Sequence, residues 1–97
     1  MATDLTVAKT ILEQIKTIDP MALMAWGAKD YVGSTNSIQF TVGGMTKWKG
    51  KVIVKLNGSD LYDVRFFRSR SVKILEDVTV SDVYAEDLVS IIDGKVG

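Results

Sequence analysis

Two segments of alternating apolar and polar residues, each followed by a strong turn signal, lie between residues 37 and 56. Successive side chains of a strand point to opposite faces, so the first segment, 37–42, places three apolar side chains on one face. A glycine pair follows this segment, and Asn57-Gly58, a strong hairpin signal, follows the next. The pattern therefore constrains the chain to consecutive antiparallel strands with one buried face.

The alternation predicts the limits and the register of the strands. Strands are expected at about 30–32, 37–42, 46–56, 61–68 and 72–75. The inward side chains of the two longest strands are Trp48, Val52, Val54, Leu56, Tyr62, Val64 and Phe66. If residues 57–59 form a three-residue loop, Val54 faces Tyr62 and Val52 faces Val64.

Helices are expected on both sides of this meander in sequence. Residues 3–18 repeat apolar side chains at helical spacing: Leu5, Ala8, Ile11, Leu12, Ile15 and Ile18. A short helix at 20–26 would begin after Asp19 and end at Gly27. A third helix, 82–93, would have Ser81 as its N-cap and end at Gly94. It would pack on the sheet through Tyr84, Leu88, Ile91 and Ile92. The expected fold is a single antiparallel α+β domain of 97 residues.

The absence of cysteine and histidine limits the chemistry of the chain. Disulfides and thiolate metal sites are excluded, and the side chain best suited to proton transfer near neutral pH is missing. No glycine-rich phosphate loop occurs between a strand and a helix. We therefore expect a protein that is not an enzyme and uses no cofactor and no metal.

The cellular location is inferred from two missing sequence signals. The residues from Met1 to Asp4 do not have the basic and then apolar pattern of a signal peptide. The chain also has no apolar run of the ~20 residues that a membrane-spanning helix needs. A cytoplasmic protein with no membrane partner is the expectation, and the host cytoplasm if the protein is phage-encoded.

The net charge is zero, but the charges are unevenly distributed. Residues 47–73 contain eight bases and only two acids, Asp60 and Asp63. Residues 76–93 contain six acids and no base. Either the acidic C-terminal helix lies across the basic sheet face and neutralises it, or the protein presents two surfaces of opposite sign.

A candidate binding surface is formed by the basic residues of the central strands and one aromatic residue. Its members are Lys47, Lys49, Lys51, Lys55, Arg65, Phe67, Arg68 and Arg70. Such a surface can bind nucleic acid through phosphate contacts and base stacking. Arg68 and Arg70 also suit a phosphate or a partner's carboxylates. The alternative is a solvated outer face whose lysines discourage edge-to-edge pairing.

The predicted second helix is rich in large apolar residues, among them Met24 and Trp26. Methionine and tryptophan are common at adaptable docking surfaces, so these two residues form an alternative binding surface. Packing in the core is the competing interpretation, and it is the default for so small a protein.

Four stretches of the sequence carry a resemblance to a protein family. They are 22–29 (ALMAWGAK), 42–50 (VGGMTKWKG), 60–64 (DLYDV) and 83–89 (VYAEDLV). Together they resemble small uncharacterised proteins of bacteriophages and mobile elements. The resemblance implies a protein that binds and alters a host or phage macromolecule, as inhibitors of host defence do. It implies no catalytic motif and no particular binding residue.

These observations favour a small non-enzymatic protein that acts by stoichiometric binding to another macromolecule, with a protein as the preferred partner. Two alternatives remain open: nucleic-acid binding through the basic sheet face, and a structural role as a subunit of a homo-oligomer.

Overall fold

A computed structural model of the chain describes residues 5–43, 46 and 48–97. The elements are α1 (Thr6–Ile18), α2 (Ala22–Ala25), β1 (Lys29–Gly33), β2 (Ser37–Val42), β3 (Gly50–Leu56), β4 (Tyr62–Arg70), β5 (Lys73–Val83), the 3₁₀ helix η1 (Ala85–Asp87) and α3 (Leu88–Val96). The strands form one antiparallel sheet in the order β1-β2-β3-β4-β5. The predicted antiparallel α+β fold is confirmed.

The core lies on one face of this sheet, which we call the inner face. Alternate residues of the three central strands are buried there: Ile38, Phe40, Val42, Val52, Val54, Tyr62, Val64 and Phe66. The helices bury side chains in the same cluster: Ala8, Ile11, Ile15, Ala22, Leu88, Ile92 and Val96. The predicted inward parity of the meander is therefore confirmed, and the polar parity of the strands forms the opposite, outer face.

The two N-terminal helices follow the predicted pattern over shorter ranges. The start predicted for α1 at residue 3 lies outside the described residues, and Leu5 and Ile18 at its ends are exposed. The carboxylate of Asp19 accepts a hydrogen bond from the Met21 N–H at 3.0 Å, as expected of a residue that begins a helical turn. Gly27 follows α2 with a φ of 64°, the left-handed conformation that glycine adopts without strain.

The loop between β3 and β4 is longer than predicted, and the register changes with it. Val54 faces Val64 rather than Tyr62, because the loop comprises residues 57–61. The Asn57 side-chain oxygen accepts hydrogen bonds from the N–H groups of Ser59 and Leu61, which holds this wider turn. The predicted loop length of three residues was therefore wrong, because the loop has five. A shift of two preserves the side-chain parity, so the buried face is unchanged.

The strand β3 is also shorter at its start than the predicted range 46–56. It begins at Gly50, and the Thr46 hydroxyl lies 3.0 Å from the Gly43 carbonyl oxygen and 2.9 Å from that of Trp48. These contacts satisfy the Thr46 hydroxyl on backbone carbonyl groups outside the sheet. Trp48 is nevertheless buried, as its parity predicts.

The last strand is much longer than the predicted 72–75, since β5 extends from Lys73 to Val83. Residues 81 and 82, expected to begin the C-terminal helix, belong to this strand. The β-branched residues Val78 and Val80 pair with Phe66 and Val64 of β4. This pairing outweighs the local helix-start signal, because it covers apolar residues of the central sheet.

The C-terminal helix consequently begins later and ends later than predicted. It runs from Leu88 to Val96 and passes through Gly94, which the sequence indicated as its end. Val96 is fully buried, and its burial compensates for the ~1 kcal/mol that an internal glycine costs a helix. Tyr84, expected to pack on the sheet, precedes the helix and is exposed.

Phe40→Ala is expected to lower the free energy of unfolding by about 3–5 kcal/mol, because it removes a fully buried ring from the inner face. Phe67→Ala is the matched control, since that ring is only half-buried on the outer face. Urea unfolding of both variants measures the difference. Equal losses would contradict the assignment of the two faces.

Candidate interaction surface

The outer face of the sheet carries four of the predicted binding residues, and the described helices all pack on the other face. Lys51 and Lys55 on β3 are exposed. Arg65 and Phe67 on β4 share their parity, with Lys51 directly opposite Phe67 in the register. The structure therefore brings these four residues together on one open surface.

Acidic residues on neighbouring strands neutralise part of this face. The Arg65 Nε and Nη2 atoms donate hydrogen bonds of 2.8 and 2.7 Å to the Asp77 carboxylate. The guanidinium also lies 5.1 Å from the Phe67 ring centroid. Hydrogen bonding within this pair lowers the pKa of Asp77 and raises that of Arg65. Because Lys55 likewise lies across from Asp63, the outer face is of mixed charge.

The acidic C-terminal segment does not cover this face. The helix α3 buries its apolar side in the core, through Leu88, Ile92 and Val96. Glu86 and Asp87 precede the helix in η1, and both are exposed. The arrangement in which an acidic helix lies across the outer face and neutralises its lysines is therefore wrong.

The most exposed part of the candidate surface is the end of the β4–β5 hairpin, residues 68–75, which we call the hairpin ribbon. Pairing between β3 and β4 reaches only as far as Lys51 and Phe67, so the ribbon extends past β3 as two strands. Every residue of the ribbon is exposed. It carries three cations, Arg68, Arg70 and Lys73, and three apolar side chains, Val72, Ile74 and Leu75.

The ribbon cations remain available to a partner. None of the three forms a salt bridge or a side-chain hydrogen bond with any residue that the structure describes. Val72 stands at the tip and is fully exposed, next to Ser71, whose φ is 57°. Exposed arginine beside exposed apolar side chains is a combination that protein interfaces use.

A cluster at the base of the ribbon fixes its position on the domain. Trp48 Nε1 donates a hydrogen bond of 2.9 Å to Glu76 Oε1, and Lys95 of α3 forms a salt bridge with the same carboxylate. The Lys95 ammonium lies 5.8 Å from the centre of the Trp48 ring, which packs edge-on against Phe66. Glu76 therefore ties β5 to α3 where the ribbon leaves the sheet.

The charges of the protein separate along the strand direction. The ribbon end of the sheet, which we call the basic end, carries the exposed bases Lys49, Lys51, Arg68, Arg70 and Lys73. Two acids, Glu76 and Asp77, lie at its inner limit, opposite Arg68 and Phe67. The opposite end of β4 and β5, with η1, carries Asp60, Asp63, Asp82, Glu86 and Asp87, which we call the acidic end. The strand register also places one cation, Lys55, at the acidic end, opposite Asp63. The predicted site residue Lys47 lies outside the described residues.

The two residues of the alternative binding surface, Met24 and Trp26, lie in different environments. Trp26 is 1% exposed, stacks with Phe40 at a centroid distance of 6.4 Å and donates a hydrogen bond to Asp93 Oδ1. Met24 is 73% exposed. A partner can therefore reach Met24 but not the Trp26 side chain, which belongs to the core.

Sequence reasoning missed the apolar half of the ribbon and its continuation along β5. Val72, Ile74, Leu75 and Val78 are all exposed although they are large and hydrophobic. The signal that could have revealed this strand is the β-branched run Val78-Thr79-Val80, which favours a strand. A plausible helix cap at Ser81 obscured it.

Comparison with family models, curated proteins and solved structures found no match to this chain. None of the described helices is long and apolar enough to cross a membrane. Over the same residues, no three acidic side chains lie close enough together to hold a metal ion.

Glu76→Gln should destabilise the protein near neutral pH, and the destabilisation should disappear in acid. Hydrogen bonds from Lys95 and Trp48 lower the pKa of Glu76 in the folded state. The ionised carboxylate therefore adds stability above its unfolded pKa of about 4.3, and this stability is lost as the pH falls through the folded pKa.

Thermal unfolding of both proteins from neutral to acidic pH measures this effect. Glu86→Gln is the control, because Glu86 is exposed in η1. A difference between the parent and Glu76→Gln that does not shrink in acid would contradict the role given to the carboxylate.

Proposed function

We propose that this protein is a non-enzymatic binding protein that recognises an acidic surface of another protein with its hairpin ribbon. The observation that carries the proposal is the ribbon itself, which extends past β3 with three exposed cations that form no salt bridge with a described residue and with three exposed apolar side chains. The cations attract an acidic surface and orient the encounter, while apolar contacts supply affinity.

The anchoring of the ribbon supports this proposal. Glu76 connects the ribbon to Trp48 and to Lys95 of α3, so the exposed residues project from a fixed base. A binding element that is already ordered loses less conformational entropy when it binds. A stoichiometric binder benefits from this arrangement, because its whole effect depends on the affinity of one contact surface.

The biological setting follows from the resemblance to small phage proteins. A phage-encoded protein of this kind acts in the host cytoplasm by occupying a surface of a host protein, as inhibitors of host defence do. The proposed ribbon contact suits this role, since it requires neither a catalytic side chain nor a cofactor.

Nucleic-acid binding is the second candidate, and the shape of the ribbon favours it. A two-stranded β-ribbon fits the major groove of duplex DNA, and Arg68 and Arg70 suit contacts with phosphates or bases. The protein candidate is preferred because the outer face has mixed charge and the tip is apolar. A steep fall of affinity with salt, from counterion release, distinguishes nucleic acid.

Reversing the ribbon charges is expected to abolish partner capture. In the variant Arg70→Glu and Lys73→Glu, two exposed ribbon cations become anions that repel an acidic surface, while Arg68, which lies opposite Glu76, is kept. The tagged parent protein should retain a near-equimolar partner from nuclease-treated host lysate, and the variant should retain at least about tenfold less. Quantitative mass spectrometry measures the recovery.

The matched control reverses two exposed lysines on α1, away from the ribbon: Lys9→Glu and Lys16→Glu. It changes the net charge equally and should keep the partner. Equal losses in the two variants would refute the ribbon as the binding element. Capture that nuclease treatment removes would support the nucleic-acid candidate instead.

A further inference from the structure

The strand β5 offers a long open edge for pairing with another polypeptide. It has 11 residues, and in the described sheet it is a terminal strand paired only with β4. The backbone groups on its other side can accept a further strand. Ile74, Leu75 and Val78 are large apolar side chains that remain exposed along it. A partner strand would cover them.

We infer that this chain forms a dimer by antiparallel β5–β5 pairing around a twofold axis at Val78, with the basic end of each copy beside the acidic end of the other. This inference goes beyond the proposed function, because the pairing uses the free edge of β5 and leaves the β4 side of the ribbon, with Arg70, open to another protein. The product is a closed dimer with one continuous ten-stranded sheet, because each copy contributes five strands.

The separation of charge along the strands supports this partner. Antiparallel pairing runs the two β5 strands in opposite directions, so the basic end of each copy lies beside the acidic end of the other. An axis at Val78 places Val72, at the ribbon tip, beside Tyr84 of the second copy. Both side chains are exposed, and Tyr84 directly precedes η1, which carries Glu86 and Asp87. The electrostatic attraction thus occurs twice in one dimer.

The bulges in β5 select the position of the axis. One bulge lies at Leu75, between the pairs Arg68–Glu76 and Ser69–Ile74, and the other lies at residues 81–82. Bulges normally interrupt the pairing of an edge strand. Leu75 and Ser81 are equally distant in sequence from Val78, so this axis places each bulge beside a bulge of the other copy. Regular pairing then continues between them, over residues 76–80.

The side chains in this register are also compatible. Val78 meets its own copy at the axis, Asp77 lies beside Thr79, and Glu76 lies beside Val80. Like charges directly opposite each other would destabilise a strand pair, and this register contains none between residues 76 and 80. An axis at Leu75 would instead bring the two basic ribbons together, and their repulsion disfavours it.

Sedimentation velocity of the purified protein tests the inference directly. The parent should sediment as a dimer, with twice the 10.7 kDa mass of the chain. Val78→Lys should raise the dimer Kd by about tenfold or more, because two lysines would face each other at the axis. Val32→Lys is the matched control, since Val32 is 59% exposed on the other edge strand, β1, and should leave the dimer intact.

Cysteine cross-linking tests the register and uses a more conservative change. The chain has no native cysteine, so every disulfide reports an introduced pair. Val78→Cys should form a covalent dimer on mild oxidation, and a mixture of Leu75→Cys with Ser81→Cys should form the mixed dimer. Val32→Cys should remain a monomer on a denaturing gel.

A parent protein that is monomeric at all accessible concentrations overturns the inference, and so does a Val78→Cys protein that cross-links no faster than Val32→Cys. Neither result affects the proposed function, which the ribbon charge reversal tests against proteins of the lysate. A dimeric parent whose ribbon variant still captures a lysate protein would refute the proposed contact while leaving the dimer in place. The two failures are therefore distinguishable.

Discussion

The row formed by Phe40, Val52 and Phe66 across three neighbouring strands is the interaction on which the rest of the structure depends. The three residues are paired side by side and almost completely buried. A slip of one residue in any of these strands would turn its apolar side chains toward solvent. Hydrophobic burial on the inner face therefore sets the parity of the whole sheet and also determines which polar side chains reach the outer face.

The part of the fold that could be predicted from the sequence is the part governed by local signals. The alternation of apolar and polar residues predicted which side chains of β2, β3 and β4 are buried. The position of Gly27 likewise predicted where α2 ends. The exact pairing of β3 with β4 was not predictable from the hairpin signal, because the Asn57 side chain holds a wider loop. The limits of β5 depend on tertiary pairing with β4, which no local window contains.

The candidate site was predictable in its charges but not in its geometry. Arg68 and Arg70 were identified as exposed cations, and they are exposed in the ribbon. Arg65 was grouped by parity with the lysines of the neighbouring strand, yet its hydrogen bonds to Asp77 set it apart. A sequence shows how dense the charges are, whereas neutralisation depends on which acid pairs across the sheet. For the same reason, the separation into a basic and an acidic end emerges only from the strand register.

The contacts of Trp48 give the protein an internal optical probe. The chain has two tryptophans, and Trp26 is sealed in the core beside Phe40. The indole of Trp48 is hydrogen-bonded to Glu76 and lies close to the charged Lys95, at the point where the ribbon begins. An indole beside a carboxylate and an ammonium senses small displacements of either charge. Movement of the ribbon should therefore alter the emission of one tryptophan and leave the other as an internal reference.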